Sequence, residues 1–423
     1  MQHRGKRSAD LRIGTNRRFP ANLAESEFGA PGTVSSCALS RRAGRNISST
    51  LLAGFCGLLL AAGISRAETV TNLEAVDVSG VSTWNGSFPI VLTGVVLTDP
   101  SEMLDSTPDF IPWDNGANAY DLGAQWQIFI QTVTPGDRGG VELWMAQDYG
   151  NLPWEPHDGS DSYTDDQWTN QVALVSHDPA TGYAFHKGDL VTVTANGSLF
   201  YGGMQNINQE HSTDSTYDFT ISLVSSNYGL PTPEVISLSS VISTNLSPTG
   251  HYDIFDPTRA TGGEHWQGMR VRINGLTLVT TNGWNTNSDW DSRYCTATDG
   301  EGRQFPLIHP LYDLGPVPTN QFNATGVFLQ ESGSGTDGTF GYELFVQEIA
   351  PSDAAILQIA VQGASVLISW PGSLSNFQLQ SAGSLSNPNW TPMTNAPALM
   401  NGQNMVATLP TATQQFYRLQ QAQ

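Results

Sequence analysis

His157, Asp158, Asp161, Asp165 and Asp166 crowd into ten residues, in a stretch that also carries Trp154 and Trp168. Carboxylates at that density can supply the oxygen ligands of Ca2+, so Asp158, Asp161, Asp165 and Asp166 are candidate calcium ligands and Ca2+ the one cofactor expected, although their spacing is not that of a standard calcium loop. The plainer reading is a solvated acidic loop. A second constellation sets Asp289 and Asp291 around Trp290, beside Trp284 and Asn287. Aromatic faces with acidic hydrogen-bond partners suit sugar binding, which makes Trp154, Trp168, Trp284 and Trp290 the candidate ligand-binding residues, against the alternative that each is a core or hairpin tryptophan. Asp289 and Asp291 could also act as the acid and base of a glycosidase, but adjacency in a loop says nothing about the separation that chemistry needs.

Other chemistries lack their residues. There is no Gly-x-Ser-x-Gly elbow, and no histidine falls in a triad or zinc motif. His177, His186, His211, His251, His265 and His309 are scattered one per loop or strand end and are expected to be surface or cap residues. The Gly/Ser run from Ser332 to Gly338 lacks the lysine and following helix of a phosphate loop and reads as a long hairpin turn. Cys295, in the strand-like run Arg293-Tyr-Cys-Thr-Ala297, is expected to be a small buried apolar side chain. No catalytic residue is assigned, and the chain is expected to be non-enzymatic.

The N-terminus places the molecule. Arg41, Arg42 and Arg45 precede an apolar run from Leu51 to Ile64, and Ser65-Arg-Ala67 offers small residues where a signal peptidase reads, so residues 1–67 are expected to be a leader cleaved after Ala67. The apolar run is shorter than the roughly 20 residues that span a bilayer. Cys56 follows Phe55 rather than the small residue that lipidation requires. Losing the leader removes ten of the 18 Lys+Arg and three of the 39 Asp+Glu, leaving eight cations against 36 acids. So few cations disfavour nucleic acid as a partner. Cys37 and Cys56 leave with the leader, so no internal disulfide is possible in what remains.

Charged residues make up 13% of a chain rich in Gly, Pro, Asn, Ser and Thr, which favours short strands and turns over helices. Two segments repeat one plan. In the first, Phe88–Leu97 is a strand broken at Gly94, Trp126–Gln131 and Gly140–Met145 form a hairpin, Gly188–Thr194 follows and Gly197–Tyr201 closes the set. In the second, Trp266–Val279 is broken at Gly275, followed by Arg293–Thr298, Arg303–Leu307, Gly326–Gln330 and Tyr342–Gln347. Period-2 alternation marks all of these as half-buried strands, and five strands per copy suggest small Greek-key barrels, with a sandwich as the competing fold.

The motifs Trp126-Gln-Ile-Phe-Ile-Gln131, Gly188-Asp-Leu-Val-Thr-Val193 and Phe200-Tyr-Gly-Gly-Met-Gln205, and in the second copy Thr258–Glu264 leading into Trp266–Val271, resemble the OB-fold-like domains of secreted bacterial proteins, including those beside extracellular nuclease domains. The resemblance implies a binding or accessory module; no companion nuclease segment is present. Pro231-Thr-Pro233 and Pro351-Ser-Asp353 mark boundaries. The last 70 residues, with strands at Ala364–Trp370, Asn376–Gln380 and Gln415–Leu419 and Trp370 in the core, are similar to a fibronectin type III-like module of bacterial surface proteins. The expectation is an all-β protein: leader 1–67, OB-like barrels over 68–232 and 233–350, and a small fibronectin/Ig-like sandwich over 351–423. Its expected role is a secreted or cell-surface binding or adhesion protein for extracellular polysaccharide or protein, with no transmembrane segment after cleavage. The alternative is an extracellular hydrolase or nuclease accessory with an unrecognised metal-dependent site.

Overall fold

Apolar residues alternate with polar ones through most of the segments above, and such segments can hide their apolar side only by pairing into a sheet whose inner face is shared. The computed structural model describes residues 66–209, 213–243, 252–352, 357–362, 365–372, 374, 377–386, 388–400, 403–409 and 414–421. The expected leader up to residue 65, and His211 and His251, lie outside the described residues.

The first copy contains β1 (Arg66–Ala67), α1 (Val70–Leu73), β2 (Ile90–Val96), α2 (Pro100–Met103), β3 (Gln125–Gln131), β4 (Gly140–Ala146), α3 (Asp165–Ser176), β5 (Leu190–Ala195), β6 (Leu199–Tyr201), β7 (Met204–Asn206) and β8 (Thr220–Ser225). Its main sheet runs β4-β3-β2-β5-β8, with β1 parallel to β2. Ile90, Leu92, Trp126, Ile128, Ile130, Val141, Leu143, Met145, Val191 and Val193 point inward, as the alternation requires. Two expectations fail here. The 197–201 segment does not close the set: β6 pairs only with β7, and β8 lies beside β5 instead. The acidic loop, read as reaching Trp168, gives way at Asp165 to a 12-residue helix started by a capping box between Thr164 and Gln167.

The second copy holds β9 (Glu234–Ile236), β10 (Met269–Leu278), β11 (Tyr294–Thr298), β12 (Gln304–Ile308), β13 (Phe322–Gln330) and β14 (Tyr342–Pro351). Its five long strands close on themselves in the order β10-β11-β12-β14-β13 and back to β10, and β12 and β14 run parallel, with Leu307 facing Leu344. The long β10 serves two neighbours because it bends at a bulge between Ile273 and Leu276, where Gly275 takes a φ of +71°. With strands counted one to five in each copy, both sheets follow the order 3-2-1-4-5; only the second adds the 3–5 pairing that closes the barrel. In the first copy the outer edge of β4 bonds instead to the chain after β7: Trp144 N donates to Ile207 O (2.9 Å) and Ile207 N to Glu142 O (2.8 Å).

The two copies share an apolar layer of Leu97, Met103, Leu104, Phe129 and Met204 from the first and Ile308, Val327, Leu329 and Phe345 from the second. Every residue of β13 is consequently buried, on both faces. Gly140 N donates to Gln267 O (3.0 Å), and a Cβ on Gly140 would stand 1.9 Å from Gly268 O, so the backbones touch where β4 and β10 begin.

The C-terminal part consists of β15 (Gln358–Gln362), β16 (Ser365–Pro371), β17 (Phe377–Ala382), β18 (Thr391–Pro392), β19 (Ala398–Met400), β20 (Gln403–Thr408) and β21 (Phe416–Gln421). They form a four-stranded sheet, β15-β16-β20-β19, and a three-stranded one, β18-β17-β21. Ile368, Trp370, Leu379 and Val406 form the core between them. The molecule is thus all-β with one closed five-stranded barrel, and no helix among the described residues is long and apolar enough to cross a membrane.

Candidate functional site

The long connection from β2 to β3, residues 97–124, carries Pro108-Asp-Phe-Ile-Pro-Trp113. Long loops are held in one shape only when their backbone groups find partners. Here three buried polar side chains that follow β4 do the holding. Gln147 Oε1 accepts from Asp109 N (2.8 Å), Asp148 Oδ2 from Ile111 N (3.0 Å), and Asn151 Nδ2 donates to the carbonyls of Ile111 and Asp121 (both 2.8 Å). Asp165, at the first turn of α3, completes the clamp: its Oδ1 accepts from Phe110 N (3.1 Å) and Gln147 Nε2 (2.8 Å). Burial pushes Asp148 up to about 7, reinforced by the nearby charges of Asp121, Asp109 and Asp165.

The clamped loop presents Phe110, Trp113 and Tyr120 at the surface, and Trp154, 51% exposed, lies in the connection that follows β4. The Trp113 ring lies on the His157 imidazole, with centroids 3.8 Å apart and planes 13° from parallel. His157 is fixed by its Nε2 contact to Leu152 O (2.7 Å) and sits at a φ of +58°. Tyr120 N donates to Asn151 O (3.1 Å), which ties that ring to the same loop cluster. Phe110, Ile111, Pro112, Trp113, Asn151 and His157 line a cavity of about 220 Å³.

Of the tryptophans expected to meet ligand, only Trp154 belongs to this exposed group. Trp168 lies on α3 with no exposed surface, its Nε1 donated to Ser106 O (2.9 Å), and cannot offer a face. Trp284 gives its Nε1 to Gly315 O (3.0 Å) and packs edge-on against His309 and Phe322. Trp290 lies parallel to Phe345 and donates to Tyr294 OH (2.9 Å), at the margin of the layer between the copies. His309, expected at the surface, is buried beside Trp284.

The four candidate calcium ligands do not act as a group. Asp158 Oδ1 accepts from Ser160 N (2.9 Å), Asp161 Oδ2 from Ser160 Oγ (3.2 Å), and Asp165 belongs to the loop clamp. Asp166 shares the first turn of α3, where a negative charge favours the helix start. Among the described residues, no three His, Cys, Asp or Glu side chains are placed to hold a metal ion together. Cys295 is buried, and burial pushes its thiol up to about 11, which leaves it unreactive at neutral pH.

Phe110, Trp113 and Tyr120 were missed in sequence because a loop has no periodicity to interrupt. The available signal was the loop itself, long and dense in aromatic and proline residues. No family model matches the chain, and no curated protein matches it. Among solved structures it is similar to one described as the structure and conformational change of a replication protein A heterotrimer bound to ssDNA, at 8% identity over 68% of this chain and 70% of that one, with a TM-score of 0.17. A likeness that slight carries no argument about fold or ligand.

Proposed function

We propose that the chain is a secreted or cell-surface, non-catalytic binding protein whose ligand is an extracellular polysaccharide, held against the aromatic loop of the first copy. The observation that carries this reading is the exposed set Phe110, Trp113 and Tyr120 on a loop fixed by buried polar side chains, with Trp154 exposed in the connection after β4 that supplies those side chains. Rigid aromatic faces bind the apolar face of a sugar ring at little entropic cost, and a shallow cavity suits one or two rings of a longer polymer. We read both copies as OB-like barrels, for which the 3-2-1-4-5 order and the parallel closure of the second are the support. On that reading the aromatic loop joins the first two strands, one of the loops with which such barrels hold oligosaccharides. The seven C-terminal strands suit a fibronectin/Ig-like sandwich. The basic apolar N-terminus supports export by a cleaved signal peptide, after which eight cations against 36 acids disfavour nucleic acid.

Electrophoresis of the full chain through gels containing individual soluble polysaccharides tests the proposal. Retardation by at least one is expected; unchanged mobility in all of them would contradict it.

A further inference from the structure

Where the first copy meets the second, the outer face of β3 and β4 is not wholly apolar. Gln127 and Glu142 stand there, with Gln127 Nε2 donating to Glu142 Oε1 (2.5 Å). Across from them, at the β13–β14 end of the second barrel, are Glu331 and Glu343, close enough that Glu331 repels Glu142 and that Glu343 is repelled by both. Asp291 adds to the repulsion at Glu331 and Glu343, and the Tyr201 and Tyr294 phenols are also within reach of Glu331. The charges that act most strongly on Glu142, Glu331 and Glu343 are acidic.

Carboxylates that gather at a surface are ordinary when solvent reaches them all, but these are graded in depth. Glu331 is exposed, Glu142 is half-buried, and Glu343 is only 4% exposed. Glu343 Oε2 accepts from Tyr294 OH (2.9 Å), yet Oε1 has no hydrogen-bond partner among the described residues. Gln127, itself 9% exposed, likewise keeps its amide Oε1 without one, although its Nε2 is engaged by Glu142. Two unrelated buried acceptors are therefore left open beside the same carboxylates, which is costly unless a donor fills the space.

We infer that this cluster, where the two copies meet, is a binding site for an organic ammonium group, the terminus of a diamine or of a lysine side chain, received by Glu343, Glu142 and Gln127 with Glu331 at the rim. An ammonium brings three donors and one positive charge. Gln127 and Glu343 offer one open acceptor each and Glu142 its carboxylate, so three acceptors face the three donors. Without a cation, protons take its place: burial pushes Glu142 up to about 7 and Glu343 well above the usual range. An ammonium must displace them, so its affinity should rise with pH.

Titration calorimetry of the full chain with cadaverine, with the blocked tripeptide acetyl-Gly-Lys-Gly-amide and with calcium chloride tests this at pH 6 and pH 8. At least one ammonium probe is expected to bind about tenfold more tightly at pH 8, with a heat that varies with buffer ionisation as protons are released. Glu343→Gln and Glu142→Gln should each weaken it about tenfold or more. Both keep the side-chain shape, and an unchanged melting profile would confirm folding. Binding by cadaverine alone or by the tripeptide alone would identify a free diamine or a peptide as the source. Heat with calcium only, no heat with any probe, or ammonium binding indifferent to both substitutions would overturn the inference.

Discussion

Arg293 shows how far single residues tie the two copies together. It has no exposed surface; its Nη1 donates to His309 O (2.8 Å), its Nη2 to Met103 O in the first copy (2.5 Å), and the guanidinium lies over the Trp290 ring at 4.9 Å. Replacing it by alanine orphans two buried carbonyls and empties the space between α2 and the second barrel. Arg293→Ala is expected to lower stability by about 3 kcal/mol, read as a fall in the urea midpoint. Glu343, which accepts from the Tyr294 hydroxyl, should respond in the opposite sense. Its charge is repelled by Glu331, Asp291 and Glu142, so without ligand Glu343→Gln is expected to raise the melting temperature at pH 8, and a fall would mean that the carboxylate is internally compensated.

At the level of elements, the strands were legible because each buries one face. Trp126-Gln-Ile-Phe-Ile-Gln131 and Gly140–Met145 pair as the alternation demands, as do the runs of the second barrel. Two things were not legible. The outer faces of β3 and β13 are covered by the other copy, and no local pattern announces a partner distant in sequence. Helix α3 buries only Trp168, Gln171 and Val175 and leaves Leu174 exposed, so its apolar stripe is too thin to read. The Thr164–Gln167 capping box was its one clear signal, and overlooking it turned Asp165, Asp166 and Trp168 into loop residues. Thr164→Ala removes that box and is expected to cost about 1 kcal/mol, measurable by thermal unfolding. The binding loop was illegible for a related reason: Gln147, Asp148 and Asn151, which hold it, sit among apolar neighbours and look in sequence like unremarkable polar residues after a strand.

For the molecule as a whole, the acids determine how stability follows pH. Burial raises Glu74 to about 8, and Glu142, Glu264 and Asp148 to about 7. Each binds its proton more tightly folded than unfolded. The stability they contribute is therefore fully present below the ordinary carboxylate pKa of about 4 and is lost as pH rises through 7 to 8. Asp256, held down to about 2 by Thr258 and Thr261, and Asp137, Asp178 and Glu234, also lowered, act oppositely and lose their contribution as pH falls below that ordinary range. The melting temperature is expected to peak on the acid side of neutrality, between about pH 4.5 and 6, and to fall by pH 8. A maximum at pH 8 or above would contradict the burial of these carboxyls.

The aromatic loop of the first copy is the central claim, and affinity electrophoresis of three variants in whichever polysaccharide retards the full chain tests it most directly. Trp113→Ala and Trp154→Ala should each abolish most of the retardation, a loss of about tenfold in affinity, because each removes a stacking face. Trp390→Ala, in the C-terminal part where the ring meets Arg418, should leave mobility unchanged. Retardation that survives both loop substitutions, or that is lost only with Trp390, would place the polysaccharide elsewhere and contradict the account.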